Sequence, residues 1–126
     1  MTPQTQTRTG IHGRCMETSI ACIMDIPESE VPDFGDDDVY LNKIATFLEP
    51  FGLYYVEVSP GNELINEVFK VGKTYHLING ISPRKGPHAV VGCNGRIVWD
   101  PHPQDGTGRG LIRVDCFGLL CNRFDK

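Results

Sequence analysis

Apolar positions recur at helical spacing in the first part of the chain and at strand spacing after residue 53. In "CMETSIACIM", residues 15–24, Met16, Ile20, Ile23 and Met24 share one helical face, and the prolines of "DIPESEVPDF" stop the helix that this spacing predicts. The acids at 36–38 suit a helix N-terminus, and Val39, Tyr40, Ile44, Phe47 and Leu48 continue with helical periodicity until "EPFG" ends it. A second, amphipathic helix is expected there. "LYYVEV" is aromatic and β-branched, "SPGN" turns, and "ELINEVFK" reads as a short helix or an irregular segment. Strands follow in "KTYHLINGI", "HAVVGC", "RIVWD" and "GLIRVDCFGLL", separated by the loops "SPRKGP" and "PHPQDGTGRG". Helices first and a largely antiparallel sheet afterwards is an α+β order.

Length and charge narrow the function classes. The 126 residues, 40% of them hydrophobic, suffice for one core, so residues 1–126 are read as a single domain. Twelve Lys plus Arg against 16 Asp plus Glu leave a formal charge of -4, which argues against the phosphate-neutralising surface that a nucleic-acid partner needs. The opening "MTPQTQTRTG" has no apolar leader core, and no run approaches the roughly 20 apolar residues that span a bilayer. A soluble, unexported, cytoplasmic protein without a membrane partner is expected. The 5 cysteines are odd in number and scattered, which fits reduced thiols better than a disulfide framework. Cys116 and Cys121 lack the clustered partners of a zinc site and read as buried apolar thiols, so neither a metal nor a cofactor is expected.

Cys15 stands where the loop "RTGIHG" turns into the first helix. Free backbone N–H groups at a helix N-terminus favour an anion, which makes a thiol placed there a candidate nucleophile. Cys22, mid-helix among apolar neighbours, is the comparison and is assigned to the core. A nucleophilic cysteine needs a histidine base, and the histidine needs an orienting acceptor. Of the 4 histidines, His12 lies in the loop before Cys15, His76 alternates on a strand, and His102 sits between prolines where it could line a cleft. His88 opens the strand "HAVVGC", and Asp100 closes the next, "RIVWD".

Register decides whether that pair meets. A two-residue Asn94–Gly95 loop puts Asp100 opposite Ala89, on the wrong face. A three-residue loop over 93–95, with Gly95 left-handed as a bulge, puts His88 directly opposite Asp100. The second register is expected, because it partners two polar residues that the first would leave alone.

The order of Cys15 in "GRCMETSIACIM", His88 in "HAVV" and Asp100 in "VWDP" resembles the papain-like cysteine peptidase superfamily, nearest its small peptidase C39-like branch. The resemblance runs from Gln6 to Pro103. "SPRKGPHAVV", "IVWDPHP" and "ESEVPDF" are similar to stretches of small uncharacterised papain-fold proteins of bacterial and phage genomes. It implies a papain-like fold with N-terminal helices packed on a mostly antiparallel sheet. It also implies Cys15 as nucleophile, His88 as general base and acid, Asp100 as the residue fixing the imidazole, and Gln6 as oxyanion-hole donor, with Gln4 as competitor. The chemistry implied is that of a cysteine-dependent hydrolase of peptidase, isopeptidase or amidase type, acting on a protein or peptide through a thioester. His102 and Arg84, on the loops flanking the pair, are the expected cleft-lining residues. The alternative is a non-catalytic papain-fold module that docks to a partner protein.

Overall fold

The computed structural model describes residues 1–9, 13–35, 38–103 and 109–122. Over these it is α+β, with three helices and a five-stranded antiparallel sheet. The helices are α1 (Cys15–Met24), α2 (Tyr40–Leu48) and α3 (Glu63–Phe69). The strands are β1 (Leu53–Val58), β2 (Tyr75–Ile81), β3 (Pro87–Cys93), β4 (Arg96–Trp99) and β5 (Arg113–Asn122), in the order β1-β5-β2-β3-β4. No helix among the described residues is long and apolar enough to cross a membrane.

Local chemistry sets the helix ends. Asp25, left-handed at φ 60°, closes α1 by donating its N–H to the carbonyls of Ala21 and Cys22. Asn62 accepts from the N–H groups of Leu64 and Ile65, and this cap makes "ELINEVFK" a helix rather than an irregular segment. Of the acids expected to start α2, Asp36 and Asp37 lie outside the described residues.

The sheet carries a core on each face. Ile20 and Ala21 of α1 with Ile44 and Leu48 of α2 pack on Leu77 and Ala89, enclosing Phe34. On the other side Ile65 of α3 covers Ile78, Val90 and Phe117. Helix α1 therefore lies directly across β3, and its position against the sheet rests on residues that are entirely buried.

The β3–β4 hairpin corrects the expected register. Asn94 (φ 51°) and Gly95 (φ 86°) are both left-handed and form a two-residue turn, so Cys93 pairs with Arg96 and Gly92 with Ile97. Asn-Gly suits that turn, and its surroundings pin it. Asn94 accepts from Thr74 N and donates to the carbonyls of Phe69 and Gly72, while Gly95 N–H donates to Nε2 of His76. Taken alone, this turn would put Asp100 on the wrong face. A bulge in β4 reverses the outcome: after Gly92↔Ile97 the next pair is Val91↔Trp99, so Val98 is the inserted residue. One extra residue restores the alternation, and Asp100 returns to the side of His88 without pairing directly opposite it.

Candidate active site

Cys15 is the first residue of α1, half-buried, with Arg14 before it as an N-cap whose side chain makes no capping bond. The N-cap side chain therefore takes none of the first-turn amides. Arg14 instead turns its guanidinium away from the helix end, to the Glu28 and Asp33 carboxylates and to the carbonyls of Glu28 (3.0 Å) and Val31 (2.6 Å). The segment "ESEVPDF" is thereby tied to the start of α1. Glu17, buried in the first turn, accepts from Phe34 N–H at 2.8 Å and fixes the far end of the same segment.

His88 sits on β3 beneath that helix end and is 5% exposed. Its Nε2 is 2.8 Å from Oδ1 of Asp100, and the ring shares a cleft wall with the Cys15 thiol, which adds to the pull that keeps a proton on the imidazole. Burial works against a charge on the ring. The Asp100 carboxylate and the Cys15 thiol more than offset it and push His88 from 6.5 up to about 9. Burial of Asp100 would raise its carboxyl, but His88, the Gly110 N–H (2.5 Å) and the His102 N–H (2.9 Å) hold it below the ordinary 3.8. Asp100 is thus an ionised acceptor with three donors, and the imidazole between it and Cys15 favours its protonated form.

The thiol and the imidazole open into a cleft of about 500 Å³ whose wall includes Gly13, Met16, Tyr40, Glu57, Asn79 and Cys116. Behind it, the hydroxyls of Tyr40 and Tyr55 both donate to Glu57, and Asn79 donates to the Tyr55 hydroxyl and the Cys116 sulfur. Burial is the chief cause that raises the Cys116 thiol above 9.0, so this second sulfur in the cleft wall is disfavoured as an anion.

Four other expected site candidates lie outside the cleft wall. Gln6 is buried, but its amide donates to the Arg8 carbonyl at 2.7 Å, and it forms no part of the cleft wall. Gln4 is committed further along α1, donating to the Ile26 carbonyl and accepting from Glu28 N–H. His102 is 4% exposed and does not line the cleft, because its N–H is drawn to Asp100 and its ring folds edge-on against His88, centroids 6.2 Å apart. Burial, then the charge of Arg84, lowers its proton affinity below 6.5. Arg84 itself is exposed on the turn before β3 and likewise does not reach the cleft wall. His12 and the loop residues 104–108 lie outside the described residues.

His76 is satisfied within the sheet. Since Gly95 N–H donates to Nε2, the ring proton is on Nδ1, 3.0 Å from the Leu77 carbonyl, and the ring packs between Phe69 and Phe117. Arg14, Glu17, Asn79 and Arg109 are site or supporting residues that the sequence reading did not single out, and Cys116, expected as a buried apolar thiol, lines the cleft. For Arg14 a signal existed, an arginine directly before Cys15 with acids at 28 and 33. No family model, no curated protein and no solved structure matches the chain.

Proposed function

We propose that the chain is a cysteine-dependent acyl hydrolase of papain-like type acting on a protein or peptide. One observation carries the reading: a buried imidazole, raised to about 9 and held by an ionised carboxylate on Nε2, lines one cleft together with the Cys15 thiol. A protonated His88 beside Cys15 is the partner that a thiol nucleophile needs.

The Cys15 thiolate attacks an acyl carbon, forming a C–S bond while the carbonyl π electrons move onto oxygen. That oxyanion is received by the main-chain N–H of Cys15 at the helix end. The tetrahedral adduct collapses, the bond to the leaving amine breaks, and His88 Nδ1 supplies the proton that the amine needs. Water then adds to the thioester with His88 as base, and the acid departs with release of Cys15. Asp100 stays ionised throughout and holds the ring in place.

Iodoacetamide labelling at pH 6, read by peptide mapping, tests this. Cys15 is expected to react about tenfold or more faster than Cys22, Cys93, Cys116 and Cys121, with the advantage lost in His88→Ala. Equal, slow labelling of all five thiols in the folded protein rejects the reading.

A further inference from the structure

The first residues form a strap between the helix that bears Cys15 and the strand that ends in Asp100. Residues 4–7 alternate, Gln4 half-buried and Gln6 buried, Thr5 and Thr7 exposed. On the helix side, Thr2 N–H donates to the Cys22 carbonyl (2.9 Å), Gln4 N–H to the Cys22 sulfur (3.2 Å), and the Arg8 carbonyl accepts from Arg14 N–H (3.1 Å). On the sheet side, the Gln4 carbonyl accepts from Trp99 Nε1 at 2.7 Å, and Gln6 N–H donates to the Pro101 carbonyl at 2.8 Å. The strap bonds to both elements along its length, bracketing Asp100 at residues 99 and 101. Arg109 completes the bracket, its guanidinium 5.2 Å above the Trp99 ring and donating to the Asp100 carbonyl at 2.7 Å.

Sheet pairing does not fix Asp100 by itself. Strand β4 is an edge strand, it carries the bulge at Val98, and its last paired residue is Trp99. Bulged edges are where a sheet specifies direction least firmly, so the aim of a residue just beyond one depends on other contacts. Here those contacts run through Trp99 and Gln4 to Cys22, on the helix that begins with Cys15.

We propose that Gln4 and Trp99 are positioning residues: their hydrogen bond couples α1 to the end of β4 and thereby keeps Asp100, His88 and Cys15 in line. This rests on the catalytic reading of those three residues. The strap touches none of the reacting atoms. It sets how well the carboxylate holds the imidazolium, and therefore the pH range over which Cys15 is reactive.

Trp99→Phe keeps an aromatic ring beneath Arg109 and removes the N–H with part of the indole's area, while Gln4→Ala keeps the carbonyl and removes the side-chain anchors at Ile26 and Glu28. In both, the rate of Cys15 labelling by iodoacetamide is measured from pH 5 to 9 beside thermal unfolding. Loss of one such bond is expected to lower the rate at pH 6 about fivefold and move the profile's midpoint upward. Ile65→Val, which thins the core under α3 on the opposite face, lowers the melting temperature without moving the profile. Variants that melt lower yet keep the wild-type profile overturn the proposal and leave the triad reading standing. Wild-type labelling that ignores His88→Ala instead refutes the triad, and the positioning role with it. Should Trp99→Phe fail to fold, Gln4→Ala tests the same coupling from its helix side, because it keeps the Trp99 bond but frees the strap from Ile26 and Glu28.

Discussion

Replacing Asp100 by asparagine asks whether the carboxylate governs the charge of His88. The rise of His88 from 6.5 to about 9 corresponds to about 3 kcal/mol of preference for the imidazolium. Burial opposes that rise, and two partners sustain it, Asp100 and Cys15. Losing one of two lifting partners while burial persists removes at least half of the net rise. His88 in Asp100→Asn is therefore expected to titrate more than one pH unit lower, about 2 kcal/mol. The amide fits the site poorly in either orientation. With its oxygen toward His88 Nε2 and His102 N–H, its NH₂ meets the Gly110 N–H; turned around, it meets His88. The assay is ¹H–¹⁵N correlation of the imidazole nitrogens from pH 4 to 10, with Cys15 labelling at pH 6 expected to fall about tenfold in parallel. A folded Asp100→Asn protein whose His88 titrates at or above the wild-type value refutes the assignment of Asp100 as the source of that charge.

His76 gives stability a dependence on acid. Burial lowers its proton affinity in the fold, where the neutral ring must accept from Gly95, so below 6.5 the unfolded chain binds a proton that the native state does not. The contribution of His76 should fall from pH 7 to 5, by at most about 1.4 kcal/mol per pH unit and against the opposite trend of His88, so His76→Gln should shift the urea midpoint at pH 5 upward relative to that at pH 7 when compared with wild type; an unchanged difference removes His76 from the cause. Arg14→Met leaves the mostly buried Glu28 carboxylate and the Val31 carbonyl without their donor. It should cost about 3 kcal/mol in urea denaturation, and a loss below about 1 kcal/mol contradicts the anchoring role.

The helix periods, strand runs and class were legible because one period dominates each stretch, as in residues 15–24, where the expected and observed bounds of α1 coincide. The pairing of His88 with Asp100 was legible as a residue choice, a polar group at the end of each of two adjacent strands. The route to it was not. Turn chemistry and side-chain parity gave conflicting demands on one short hairpin, and the expected solution changed the turn, whereas the fold keeps the Asn-Gly turn and inserts Val98 further along. A bulge has no strong local signature, since Ile97 and Val98 are both exposed and either reads as an ordinary β-branched strand residue. His102 was misplaced for a related reason. "DPHP" reads as an exposed loop until the Asp100 carboxylate is seen to collect the N–H groups of His102 and Gly110 and draw the loop inward.

The bulge also accounts for the demands on the N-terminal strap. A hairpin with a strong turn and no bulge would fix its last residue by pairing alone, but here that residue would face away from His88. Inserting Val98 turns Asp100 toward the histidine and ends regular pairing at Trp99. The direction gained for the side chain is accompanied by a loss of backbone restraint at the same place. The restraint returns from outside the sheet, through the bonds of Gln4 and Gln6 to Trp99 and Pro101, and through Arg109 and Gly110 on the other flank. The aim of Asp100 at His88 therefore rests on segments remote in sequence from both His88 and Cys15, and substitutions there should change the reactivity of Cys15 before they unfold the chain.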